Sequence, residues 1–166
     1  MGSTEQRSEA WRRAAKTIKR ELWRWGSAPY VCRQMEKEIK KLERTKKIQQ
    51  ARMERTESPE KKKIIREILV LLDGQTEESR GQLERERQEA EKTETALALL
   101  TDEERRFLLE RFRKGNGFDC ISLHMHISRS GCFRMQNRIL IRLYTERKKA
   151  EGHDGEKKDR GERRCV

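Results

Sequence analysis

Apolar residues are scarce in this chain: they make up only 33% of its 166 residues, and aromatics only 5%. Globular domains are about 45–50% apolar and about 25% charged, whereas 42% of these residues are charged. The deficit excludes one compact globule with an ordinary core. It leaves room for one small domain of roughly 50–70 residues, accompanied by long charged helices or tails. Eighteen consecutive apolar residues occur nowhere, which argues against a membrane span. The opening Met1-Gly2-Ser3-Thr4-Glu5-Gln6 has no apolar signal region, so the expected location is cytoplasmic. Cys32, Cys120, Cys132 and Cys165 are too irregularly spaced for a disulfide framework. Nothing alternates in the two-residue rhythm of a strand, and the predicted class is all-α. A Gly-rich phosphate loop, H-E-x-x-H and G-x-S-x-G are all missing, and the acidic residues lie in mixed-charge stretches. Neither an enzyme nor a cofactor is therefore expected.

What the chain has is positive charge, a net +12, and that implies a polyanionic partner. Residues 1–58 hold 16 basic and 8 acidic side chains. Residues 59–100 hold 8 and 10, and residues 101–127 hold 5 and 5. Residues 128–150 hold 7 basic and only 1 acidic, the densest positive segment.

Both prolines stand where helices would begin. Gly26 followed by Ser27-Ala28-Pro29 predicts a helix over 8–25 and a second over 29–55. Ser58-Pro59-Glu60 predicts a third over 59–72, stopping at Asp73-Gly74. Narrow stripes run along these helices: Trp11, Ile18, Leu22 and Trp25, then Val31, Met35, Ile39 and Leu42. They suit a charged helical module over 5–73 that closes on itself or on a second copy, as a hairpin, small bundle or dimer. A membrane-lying helix built on Trp11, Trp23 and Trp25 with Arg12, Arg13, Lys16, Lys19 and Arg20 is the alternative for the first stripe. Residues 74–96 read as a polar connector or solvated helix.

At Leu97 the composition changes. Thr101-Asp102-Glu103-Glu104 is a capping box, with Thr101 as N-cap and Glu104 able to reach back. The helix it opens should turn Phe107, Leu108 and Phe112 inward and end at Lys114-Gly115-Asn116-Gly117. A short segment follows, with Phe118, Ile121 and Met125 on one side, then Ile127-Ser128-Arg129-Ser130 as a break and cap. The last helix, 129–149, buries Cys132, Met135, Ile139, Leu140 and Leu143. A helix, a short helix, a tight turn and a basic helix outline a helix-turn-helix over 97–149. The opposite face of the last helix then offers Ser128, Arg129, Ser130, Phe133, Arg134, Asn137, Arg138 and Arg142. Gly131 adds a point of close backbone approach. Arg forks onto guanine or phosphate, and Asn onto adenine, so these are the candidate DNA-binding residues. Phe133 either meets a thymine methyl or belongs to the core.

These residues resemble a family. Thr101 to Phe112, Ile127-Ser128-Arg129-Ser130 and Arg138-Ile139-Leu140-Ile141-Arg142-Leu143 are similar to region 4 of sigma-70-type factors. Within that group they most resemble the phage-encoded late-gene regulators of the ArpU/RinA type. The resemblance covers about 50 C-terminal residues; over the first 95 it is one of architecture. It implies a transcription activator of phage or prophage genes in a bacterial host, binding double-stranded DNA and touching RNA polymerase. By position it gives Ser128 the turn hydroxyl, and Arg129, Ser130, Phe133 and Arg134 the DNA-facing surface. A helical packaging or scaffold protein, such as a small terminase subunit, is the alternative of a different class. Cys120, His124, His126 and Cys132 are zinc-competent side chains, but C-x3-H-x-H-x5-C lacks the C-x2-C pair common in structural zinc sites, so no metal is expected. Residues 150–166, with Gly152, Gly155 and Gly161, read as a disordered tail.

Overall fold

The computed structural model describes residues 2–161, with side chains described over 8–152. It is all-α: α1 (Gly2–Arg55), α2 (Pro59–Leu97), α3 (Asp102–Leu108), α4 (Phe118–Met125) and α5 (Arg129–Gly161). A π-helical turn, Leu109–Arg113, extends α3. Among the described residues there is no strand, as the composition predicts.

The chain divides into two compact units. One combines Met1–Gly26 with Thr93–Val166; the other is Ser27–Lys92. The first helix was expected to pack with the residues up to 73, yet its stripe belongs with the C-terminal helices. Ile18, Leu22 and Trp25 share one core with Leu97, Leu100, Phe107, Leu108, Phe112, Ile121, Cys132, Met135, Ile139, Leu140 and Leu143. Trp11 meets Tyr144 edge-on at 5.3 Å, and Trp25 Nε1 donates to Glu94 at 2.7 Å. Arg147 pairs with Glu21. Trp11 and Trp25 are thus occupied by packing, which removes the apolar face the membrane reading needed. Trp23 stays exposed, with its ring against Phe112 at 4.9 Å.

Two expected breaks, at Gly26 to Pro29 and at Asp73-Gly74, are absent, each for a physical reason. The helix does not end at Gly26, because that glycine serves close packing: a Cβ there would lie 1.9 Å from the Phe112 carbonyl oxygen. Pro29 sits inside α1. It removes one hydrogen bond at about 3 kcal/mol, but buried side chains lie along the helix to either side, Leu22 and Trp25 before it and Ile39 after it. At Asp73-Gly74, α2 runs on to Leu97, so residues 74–96 are helix and not connector. A lone Gly costs only about 1 kcal/mol relative to Ala, and beyond it Thr76 and Leu83 are buried.

The second unit is a helical hairpin turned at residues 56–58. Ion pairs tie its arms: Arg80 to Glu43 at 2.7 Å, Arg87 to Glu36 at 2.6 Å, and Lys46 to Asp73. Its buried apolar side chains are Ala28, Ile39 and Leu83, while Ile48, Ile64, Val70 and Leu71 are exposed.

The tail also differs from expectation. α5 continues to Gly161 and does not stop near 149, with Lys149 paired to Glu146 and Lys148 to Glu151. Such pairs one turn apart support a solvated helix. Residues 162–166 of the expected disordered tail lie outside the described residues.

Candidate nucleic-acid interface

The capping box at the start of α3 forms as read. Glu104 N–H donates to Thr101 Oγ1 at 3.3 Å, and Thr101 N–H donates to Glu104 Oε2 at 3.0 Å. Phe107, Leu108 and Phe112 are buried. Beyond the π turn, Gly115 takes a left-handed φ of 73°, and Glu110 holds that corner from inside. Its carboxylate accepts from Lys114 Nζ at 2.5 Å and Asn116 Nδ2 at 2.6 Å, and faces His124 Nδ1 at 3.1 Å. The contacts to Lys114, His124 and Asn116 outweigh the cost of burial and lower its pKa to about 2.

α4 ends at His126, whose left-handed backbone (φ 54°) turns the chain sharply. Ser122 secures the turn: its carbonyl accepts from Ile127 N–H at 3.2 Å, and its hydroxyl donates to Ile127 O at 2.5 Å. Ser128 then caps α5, its Oγ accepting from Gly131 N–H at 3.0 Å. A Cβ on residue 131 would lie 3.2 Å from that Oγ. Gly131 therefore serves the cap, and it is half-buried, not an open point of approach.

Below this cap α5 is two-faced. Cys132, Met135, Ile139, Leu140 and Leu143 are buried, as the spacing predicts. Ser128, Arg129, Ser130, Phe133, Arg134, Asn137, Arg138 and Arg142 are exposed on the other side. Phe133 resolves between its two expectations: half of it is in solvent, and its edge rests on Phe118 at 4.4 Å. Phe118 in turn carries the Arg111 guanidinium at 4.8 Å, which also lies 5.3 Å from the Trp23 ring. Ile141, which the sequence reading passed over, is 52% exposed on the same side of α5.

The arginines are not equivalent. Arg129 lies 3.5 Å from Asp119, with both side chains largely in water. Arg134 and Asn137 have no side-chain hydrogen bond or ion pair among the described residues. Arg138 and Arg142 converge on a single carboxylate: Arg138 Nε donates to Glu104 Oε1 at 3.0 Å, and Arg142 Nη1 to Oε2 at 2.8 Å. Glu104 is 1% exposed. Burial alone would raise its pKa, but the Thr101 hydrogen bonds and the two arginines prevail and hold it below the usual carboxylate range. The capping-box motif makes Glu104 visible in the sequence; nothing in it signals two partners 34 and 38 residues away.

The zinc-competent residues do not converge. Cys120 Sγ is 3.7 Å from His124 Nε2, His126 occupies the turn, and Cys132 is buried with its thiol toward the Phe118 carbonyl. Among the described residues no group of three or more His, Cys, Asp and Glu is arranged to hold a metal ion, and no helix is long and apolar enough to cross a membrane. Comparison with protein-family models, with curated proteins and with solved structures finds no significant match.

Proposed function

We propose that the chain is a sequence-specific double-stranded DNA-binding transcription regulator. In this reading α4, the His126 turn and α5 act as a helix-turn-helix, and the start of α5 enters the major groove. One observation carries the proposal. The face of α5 opposite its buried stripe holds Arg129, Arg134, Asn137, Arg138 and Arg142, the residue types that fork onto base edges and phosphates, in exposed positions behind a capped helix start. Arg134 and Asn137, one turn apart in reach and without partners among the described residues, are the base-reading pair. The resemblance to sigma region 4 and the ArpU/RinA-type regulators makes the regulator a phage or prophage late-gene activator in the bacterial cytoplasm, with RNA polymerase as a second partner.

A second reading, a helical packaging or scaffold protein resembling a small terminase subunit, is favoured by a different observation. The hairpin leaves Ile64, Val70 and Leu71 in solvent, as an oligomerising surface would. A dimer that reads two half-sites accommodates the same apolar residues. Selection of bound sequences from a random duplex pool tests the proposal. A single consensus, lost on Arg134→Ala with helicity unchanged, is the expected result. Binding without any consensus, by a ring of many copies, would favour the packaging reading.

A further inference from the structure

We infer that the basic face of α5 is divided by Glu104, which arranges Arg138 and Arg142 into a preformed cradle for one phosphodiester of the DNA backbone. This rests on the duplex-DNA reading above and assigns a role to a residue outside the candidate interface itself.

The geometry supplies the argument. Two guanidiniums one helical turn apart already meet on one small anion, the Glu104 carboxylate. Each spends one N–H on it, Arg138 its Nε and Arg142 its Nη1. An arginine has five such donors in a rigid fork, so most of the donors of both remain unspent. The two side chains are 54% and 44% exposed, while the carboxylate between them is 1% exposed. The unspent donors therefore face water on the outer side of a buried anchor. Two cations against one anion leave a net positive charge there, suited to a phosphate and wasted on a neutral base edge.

Preorganisation is the physical gain. A free surface arginine loses rotamer freedom when it is fixed on a ligand. Here part of that ordering is complete before binding. Glu104 is itself fixed, because Thr101 N–H holds its Oε2 from the helix start. Its low pKa keeps the anchor charged at neutral pH. Arg134 and Asn137 lack any such anchor and stay free to adapt to bases. Phosphate contacts position a protein on DNA, and base contacts specify the sequence.

The test measures affinity against salt for the full chain, on the selected consensus duplex and on a scrambled duplex. Arg138→Ala and Arg142→Ala should each weaken both duplexes by the same factor, about tenfold, and flatten the salt dependence by about one unit of slope. The preference between the duplexes should not change. Glu104→Gln keeps a hydrogen-bonding side chain at the cap but raises the net charge by one. Charge alone would then tighten binding to both duplexes, whereas a positioning role weakens it several-fold. Tighter binding by a folded Glu104→Gln protein would overturn the inference. So would arginine variants that bind both duplexes within twofold of the parent, and these decide the matter if Glu104→Gln does not fold. In either case an Arg134→Ala protein that still loses its preference leaves the recognition-helix reading standing. Loss of any consensus in the parent chain would instead remove that reading.

Discussion

The two units are built on opposite principles. In the unit containing α3, α4 and α5, large apolar side chains from five segments of chain meet in one core, and Phe107, Ile121, Cys132 and Ile139 are 0% exposed. In the hairpin of Ser27–Lys92, the fully buried apolar side chains are few, and cross-arm ion pairs with half-exposed partners add to the half-buried apolar ones. An exposed pair is worth about 0.2–1 kcal/mol and weakens in salt, whereas one buried Phe is worth about 3–5 kcal/mol when truncated. A chain poor in apolar residues has concentrated its fully buried ones in the first unit, whereas in the hairpin Val31, Met35, Leu42, Ile65, Ile68, Leu69 and Leu72 are only half-buried. The difference implies that the hairpin opens more readily than the cored unit.

The contrast should break most severely at Gly26. No side chain fits there, because the neighbour is backbone: the Phe112 carbonyl would meet a Cβ at 1.9 Å. Gly26→Ala should destabilise the cored unit by about 3 kcal/mol or more, read as a large drop in its melting temperature. An unchanged melt would mean that α1 does not cross Phe112 this closely.

Acid should also strike the cored unit. The Glu110 carboxyl has its pKa lowered from 4.5 to about 2 in the folded chain. Its stabilising contribution is therefore complete above about pH 5 and is lost as pH falls toward 2. Lys114 and His124 are half-exposed, so screening reduces the gain to about 2 kcal/mol. Glu110→Gln should flatten stability across that acid window while leaving the response above pH 5 to other groups. A parallel fall in both proteins between pH 5 and 2 would remove Glu110 from the account.

Amide exchange sharpens the comparison without any substitution. Backbone amides of residues 34–54 and 60–85 should exchange faster than those of α3 and of residues 135–143, and added salt should widen the gap. Equal protection would show that the hairpin draws stability from a partner such as a second copy, which dilution of the sample would then expose.

How much of this was legible in the sequence follows from the range of each interaction. Periodicity placed the inward residues of α3, α4 and α5, because those faces are local and repeat every turn. The capping box and the Ser128 cap were legible because each closes within three residues. Gly26 misled, because the same residue type ends helices and permits close packing, and only the fold brings Phe112 beside it. Asp73-Gly74 misled for the converse reason: local propensity there is weak, and side chains buried further along carry the helix through. On the candidate interface, exposure of Arg134 and Asn137 followed from helical phase. The convergence of Arg138 and Arg142 on Glu104 did not, since it depends on how α3 and α5 pack.

Gly74 supplies the mildest perturbation, and it acts on the hairpin in the stabilising direction. It lies in the interior of α2, it is exposed, and a Cβ there would touch nothing within 4 Å. Alanine would lose less backbone freedom on folding and would strain no contact, so Gly74→Ala should stabilise the hairpin by about 0.5–1 kcal/mol. The gain should appear as slower exchange for residues 60–85, with the protection of α3 and of residues 135–143 unchanged. Because the cored unit does not draw on Gly74, equal slowing everywhere would mean that the two units unfold as one, and destabilisation would mean that the helix breaks at Asp73-Gly74 after all.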